Sequence, residues 1–446
     1  MKTSRFKRSG LHFGLVTVFA TLLAAPAAWA ATGDQIGAEF QVHIGTEPLR
    51  PAVASDGAGN FVVVWATHDA IYARFYGSDG LPKGDEFPLA QISVPPPIFD
   101  GKLSVAMNSS GKFVVVWATS SDMTHEVINA QRYLADGTAD GAVIQVAAPQ
   151  QAYYGAAPSV AMDAAGDFVV AWRQISELDV PVGAVFFQLL RTSSVYARLY
   201  NAEGRAKGSA FLVDVPFVQV LEAVSGQPTV AAPGIAMDSR GRFVIAWQDV
   251  ISDSGLISGS GLIDGAVNVM RFSAVGLPLG VKQRVAATWP GWITQPVVAL
   301  GADDSFAVGW MDIVADPLTL NRTAVRMRRY NNIGIAQGPA SDVSARTARP
   351  YSAVCAVVRP DGGLLFAWDG NDPTPPYSRN IYSQNYAADG TPQGGNALVN
   401  TTTTGIQSLP SLAVTDADGD YVIVWASTPD NTGSQYSIYG QRFSGR

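Results

Sequence analysis

Seven segments of this chain share the pattern P-x-V-A-x-D-x-x-G-x-F-V-V-x-W, and each ends in a tryptophan: Trp65, Trp117, Trp172, Trp247, Trp310, Trp368 and Trp425. Successive tryptophans lie 52 to 75 residues apart. A unit of that size buries its apolar face only against a copy of itself, so the repeats are expected to form one architecture and not a string of independent domains. After each tryptophan comes a variable stretch and then an aromatic residue: Tyr76, Tyr133, Tyr200, Phe272, Tyr330, Tyr386 and Phe443. In the first six copies a glycine follows the aromatic by four residues.

Within one copy, "PSVAMD", "FVVAW", "VYARLY" and "AFLVDV" read as four strands, rich in β-branched and aromatic residues and separated by Gly, Asp and Asn turns. Four antiparallel strands per unit make a propeller blade. The second strand is apolar on both faces, as a strand between two neighbouring sheets must be. Copies begin near Pro51, Leu103, Pro158, Pro233, Pro296, Ser352 and Pro410; the fifth (Asp304) and sixth ("RPDGGLLFAW") depart furthest from the pattern. The seventh copy stops after its third strand, "SIYGQRFSGR", whereas "IGAEFQVHI" near the N-terminus matches the fourth strand of other copies. The expected fold is therefore all-β: a seven-bladed propeller of four-stranded antiparallel blades, closed by the N-terminal strand completing the C-terminal blade. Closure removes the exposed sheet edges that template aggregation. An open solenoid would instead carry capping repeats.

Residues 1–30 stand outside this pattern. Lys2, Arg5, Lys7 and Arg8 precede an apolar stretch from Leu11 to Ala25 that leads to Ala28-Trp29-Ala30, the layout of a signal peptide cleaved after Ala30. The mature protein is then residues 31–446, a single domain that is secreted or periplasmic, with no later segment apolar enough to span a bilayer. A lipoprotein would need a cysteine at the cleavage site, and the one cysteine is Cys355. A lone cysteine also excludes a disulfide framework and a CxxC pair; set in the apolar run "AVCAV", it reads as a small buried hydrophobe. Cleavage removes four positive charges and no acidic ones, taking the net charge from −7 to −11 and disfavouring nucleic acid as a partner.

In an antiparallel meander the second-to-third loops and the links between copies leave one end of each blade, here called the top. The short "DxxG" and "ADG" turns leave the other. The long insertions, Arg173 to Ser194 and Gln248 to Val267, and the links Ser93 to Gly101 and Pro216 to Ala232, all fall on the top, where binding and catalysis concentrate. The second-to-third loops carry thirteen Asp or Glu against four Lys or Arg. Asp249 and Asp312 each follow their tryptophan by two residues and Asp369 by one, so three neighbouring blades could present carboxylates to Ca²⁺, or else use them as loop-starting Asx turns. His68-Asp69 and His125-Glu126 fall in the top loops of the first and second copies, a composition suited to general acid/base chemistry or to half of a zinc site. Trp289 and Trp292 flank Pro290-Gly291 in a top-face link outside any strand, near the loop aromatics Tyr153, Tyr154, Phe186 and Phe187. They would either stack on a sugar ring or plug a gap between blades.

"DADGD" (Asp416 to Asp420) resembles the calcium loop of FG-GAP propellers but sits in one short turn and reads as a hairpin. "SVAMDAAGDFVVAW" faintly resembles the Asp-box of sialidase propellers, with different spacing and no arginine cluster. No GxSxG, HExxH, P-loop or dinucleotide fingerprint occurs. As a whole, the pattern A-M-D-x-x-G-x-F-V-V-x-W … Y-A-R-x-Y … D-G resembles the propeller repeats of secreted and surface proteins of bacteria. That resemblance implies the fold and little about activity. The reading that follows is a monomeric extracytoplasmic module whose top face recognises a glycan or protein partner, with Ca²⁺ as candidate cofactor. The alternative is a hydrolase or lyase acting on an extracellular polymer through His68, His125 and nearby carboxylates.

Overall fold

The computed structural model describes residues 33–45, 50–67, 69–92, 103–120, 125–151, 157–182, 186–214, 217–221, 231–253, 263–288, 291–314, 322–344, 353–371, 378–428 and 436–445. Residues 1–30, read above as a signal peptide, lie outside this set, and among the described residues no helix is long and apolar enough to cross a membrane.

The described chain is all-β, built from repeated four-stranded antiparallel sheets in a manner consistent with a propeller. The third copy shows the plan. Ser159–Met162 pairs with Phe168–Val182, that strand pairs with Phe186–Tyr200, and Phe211–Leu212 completes the order. Two copies share an eight-stranded sheet, joined by a single parallel bridge between Arg379 and Ile406. At one edge of that sheet, Gln35–Gly45 runs antiparallel to Tyr436–Phe443.

The repeated residues form a repeated contact. The aromatic that opens the second strand stacks on the aromatic that ends the third in every copy but the sixth: Phe61 on Tyr76 (ring centroids 4.7 Å apart), Phe168 on Tyr200 (4.8 Å), Phe306 on Tyr330 (4.6 Å) and, with the pair reversed, Tyr421 on Phe443 (5.0 Å). In the sixth copy Leu364 takes the Phe position, and Phe366 reaches Tyr386 edge-on at 6.2 Å instead. The framework tryptophans are buried, each against the preceding sheet: Trp247 packs with Val169 and Ala171, Trp310 with Val244 and Val267. The short turns close as Asx turns. The Asp163 carboxylate accepts from the amides of Ala165, Gly166 and Asp167, and in "DADGD" the Asp416 carboxylate accepts from Asp418 and Asp420.

Where most copies place an Asx at the turn and the fifth has Gly301, the sixth has Arg359, whose side chain is 1% exposed. Its guanidinium donates to Asn385 Oδ1 (3.2 Å), Gln393 Oε1 (3.0 Å), the Tyr386 carbonyl and Asp361 (3.3 Å each). Replacing it with methionine leaves the buried acceptors, Asn385 Oδ1 and the Tyr386 carbonyl, short of a donor, whereas Asp361 and Gln393 are exposed and can turn to water. Arg359→Met is expected to destabilise by about 3 kcal/mol, read as a lower midpoint in urea at unchanged slope. An unmoved midpoint would mean the network contributes nothing net.

Three expectations need correction. The Arg173 to Ser194 insertion is no loop, because Phe168–Val182 and Phe186–Tyr200 stay paired out to Val182 opposite Phe186, and Phe217–Leu221 adds to the ribbon. Trp292 lies within a strand, Gly291–Leu300, opposite Ile313. His125 and Glu126 likewise open the strand His125–Tyr133, opposite Gln151 and Gln150 of the fourth strand. In each case backbone pairing with a partner strand carries the ladder past the point where the repeated pattern stops.

Candidate functional site

The first strands begin where the links arrive, and their starts surround a cavity of about 410 Å³. Every copy contributes to its wall: Pro51, Leu103, Pro158, Pro233, Pro296, Val354 and Pro410 stand at corresponding places. Proline suits the position, since a strand's first residue can forgo an amide that no neighbour accepts. In the fifth and seventh copies the strand continues upstream of that proline, as Gly291–Leu300 and Ile406–Val414, by means of register shifts on either side of Gln295 and Leu409. Both take a left-handed conformation (φ 51° and 57°) that costs a side-chain-bearing residue free energy, and both line the cavity. Hydroxyls stitch neighbouring walls together. Ser104 Oγ accepts from the Val160 amide (3.3 Å), Ser411 Oγ from the Val53 amide (3.2 Å), and Ser55 donates to the Val414 carbonyl.

The lining is mostly apolar. Its titratable members are Arg50, which is exposed, and Cys355, whose thiol is pushed well above the ordinary range by burial and lies 3.6 Å from the Ala367 carbonyl. One step behind the wall, the Arg173 guanidinium donates to the Ala231 carbonyl (3.4 Å), Ser193 Oγ (2.6 Å) and the Gln248 carbonyl (2.7 Å). Burial lowers its pKa to about 10, opposed by the charge of Asp249. Arg173 was assigned above only to an insertion. Its signal was a cation directly after a framework tryptophan, where the first, second and seventh copies have Ala66, Ala118 and Ala426.

The three candidate metal ligands are not brought together, and among the described residues no three His, Cys, Asp or Glu side chains are placed to hold a metal ion. Side chains alternate across a strand. Asp249 and Asp312, two places after their tryptophans, therefore share the tryptophan's face, whereas Asp369, one place after, points to the other side of its sheet. Each is engaged within its own copy or seam. Asp249 accepts from Asn268 Nδ2 (2.6 Å), Asp312 pairs with Arg326 (3.4 Å), and Asp369 accepts from the Ala353 amide (2.8 Å) and pairs with Arg379 (3.5 Å). The Asp249 carboxyl is raised by burial and by the charge of Asp214, against the pull of Lys282 and Arg173. Lys282 Nζ sits 2.8 Å from Asp214 and 4.0 Å from Asp249, and Trp247 Nε1 donates to Asp214 (3.1 Å). Asp214 and Lys282 come from different copies, so no motif in the sequence could have joined them.

His68 and Trp289 lie outside the described residues, so the proposed pairing of His68 with His125 lies outside them too; for His125 and Trp292 the described part is the backbone. Asp69 closes a tight turn, accepting from Thr67 Oγ1 (2.6 Å) while its carbonyl accepts from the Ile92 amide. Glu126 occupies a ladder position opposite Ser120.

No family model matches the chain, and no curated protein matches it. Solved structures do resemble it. An ulvan lyase, described as representing a new family of polysaccharide lyases, superposes with a TM-score of 0.51 at 11% identity, over 91% of this chain and 95% of that one. The same enzyme bound to -[GlcA(1-4)Rha3S]- gives 0.50 over the same shares. An α-L-arabinanase of Penicillium chrysogenum, complexed with arabinobiose, gives 0.47 at 13% identity, over 76% of this chain and 92% of that one. At such identities the likeness is one of fold.

Proposed function

We propose that residues 31–446, exported after cleavage behind Ala30, form a closed seven-bladed β-propeller that binds a glycan at the top mouth of its central cavity without altering it. The cavity wall carries this reading: each of the seven first strands supplies one segment, and among the lining residues only Arg50 and Cys355 carry an ionisable side chain. An enzyme needs acid and base aimed at one point, whereas apolar walls with scattered hydroxyls and backbone groups suit recognition. Closure is supported by the pairing of Gln35–Gly45 with Tyr436–Phe443, and by the first strand Ala52–Ser55 lying beside the last, Ile406–Val414. The fold shared with an ulvan lyase is one on which a glycan is handled.

The test is a glycan array followed by calorimetry on the best binder. Ala232, a partly exposed residue of the wall, is replaced by tryptophan to fill the mouth. Binding is expected to weaken at least tenfold, about 1.4 kcal/mol, at unchanged melting temperature. A wild-type protein silent across neutral, acidic and sulfated glycans would defeat the reading.

One observation favours a hydrolase or lyase instead: Asp249, held toward its protonated form beside Asp214, is the kind of pair that divides acid from base. Release of reducing ends, or of an unsaturated uronate, from the bound polymer would establish that reading, provided Asp249→Asn abolishes it.

A further inference from the structure

At the end opposite the cavity, the turns joining third to fourth strands are polar in most copies, as in "GSDG", "LADG" and "NAEG". The fourth and fifth copies replace these with "SAVGLPLGV" and "NNIGIAQG". The result is exposed aliphatic surface: Val275, Leu277, Leu279 and Val281 are 72, 64, 38 and 80% exposed, and Ile333 and Ile335 are 66 and 58% exposed. Six of the twelve large hydrophobic residues exposed among the described residues thus stand on two adjacent turns.

The two turns form one patch. The Gly334 carbonyl, between Ile333 and Ile335, accepts from Gln283 Nε2 (2.9 Å), two residues beyond Val281, and the Asn332 carbonyl accepts from Arg271 (2.6 Å). Beneath them Arg242 bridges Asp238 and Asp304 across the same seam, so the patch rests on a rigid base. The six exposed residues amount to roughly 600–700 Å², at or just above the ~300–600 Å² of the largest apolar patch on a typical monomer. That approaches the ~800 Å² that each partner buries in a stable complex.

We propose that this patch is a self-association surface through which two copies of the chain dock, cavity-free ends together, about a two-fold axis. A second copy fits for two reasons. The patch has close to the area that one side of a dimer needs, and its border carries both charges, with Arg240 and Asp303 each exposed at the neighbouring turns, so the surface can complement itself. Docking there leaves both cavities facing outward, giving a two-headed particle whose avidity for a repeating polymer exceeds that of either site. The surface does not depend on what the cavity binds.

The test is sedimentation velocity with light scattering on residues 31–446 across a dilution series. Wild type is expected at twice the monomer mass, dissociating on dilution. The Leu277→Asp/Ile333→Asp variant is expected to be a monomer, with self-affinity lowered at least about a hundredfold and a melting temperature equal to that of the wild type diluted to monomer, because both side chains are in water in the single chain. A wild type that stays monomeric at every concentration would overturn the proposal, as would a double variant that remains dimeric. A monomer that floats with phosphatidylcholine vesicles would assign the patch to a lipid surface instead.

Discussion

Deleting residues 31–45 is expected to leave a chain that no longer unfolds cooperatively and that aggregates at room temperature. Gln35–Gly45 supplies the outer strand beside Tyr436–Phe443 and fills the seam with the first copy. Val42 is 1% exposed within a cluster containing Val53, Trp65 and Ile438, and the Phe40 ring lies 5.2 Å from Tyr76. His43 rests on Trp65 at 5.1 Å, and its Nδ1 lies 2.7 Å from Glu86, so the strand also holds the first copy by its polar side. Burying one Phe or Val contributes about 1.5–3 kcal/mol. The strand, its ladder and the side chains it covers together amount to much of the 5–15 kcal/mol by which a domain is stable. Removal also bares the edge of Tyr436–Phe443, a template for intermolecular pairing. Loss of the single calorimetric transition is the readout, and the peptide QIGAEFQVHIG added in trans should restore it. A truncated protein that melts within a few degrees of the full one would show that the strand does not close the fold. The point variant Val42→Asp should act in the same direction by about 3 kcal/mol or more.

That strand was readable because its residues repeat those of other fourth strands, and the same holds for everything the copies share. The Phe of F-V-V-x-W and the later aromatic became one stacked pair, and the sixth copy, where Leu364 breaks the pattern, shows the altered contact between Phe366 and Tyr386. Residues outside the pattern were read less well. The ribbon beyond Trp172 is set by register with a distant partner strand, so neither half shows alone that it is a strand. Grouping Asp369 with Asp249 and Asp312 overlooked an alternation legible in the sequence, since one residue's offset on a strand reverses the face. The Asp214, Lys282 and Asp249 contact was not legible at all, because it spans two copies whose spacing only the packing of neighbouring sheets fixes. Function lies mainly in such departures from the repeat, which is why the fold was far easier to read than the site.

The repeated aromatic pairs carry a consequence for pH. Tyr76 and Tyr386, 1 and 5% exposed, are each pushed from the usual 10 up to about 12, chiefly by burial, and Tyr133, Tyr200, Tyr330 and Tyr421 shift the same way for the same main reason. Below pH 10 the phenols are neutral in folded and unfolded chains alike, and the packing they contribute is fully present. As pH rises from 10 to 12, the unfolded chain releases protons that the folded one keeps, so stability falls by about 1.4 kcal/mol per pH unit for each such tyrosine. Tyr76 and Tyr386 alone would remove about 5 kcal/mol by pH 12, comparable to the whole margin of a modest domain. The melting temperature is therefore expected to collapse above pH 10, with phenolate absorbance from these residues appearing together with unfolding and not before it. Phenylalanine variants separate this from general alkaline damage. The hydroxyls of Tyr76, Tyr200 and Tyr330 are buried without a well-placed hydrogen-bond partner, so replacing all three with phenylalanine should leave stability at pH 7 unchanged or raised. The triple variant should lose stability more gently between pH 10 and 12. If the wild-type tyrosines ionise near pH 10 while the sheet signal in circular dichroism persists, they are not sealed in the seams as described.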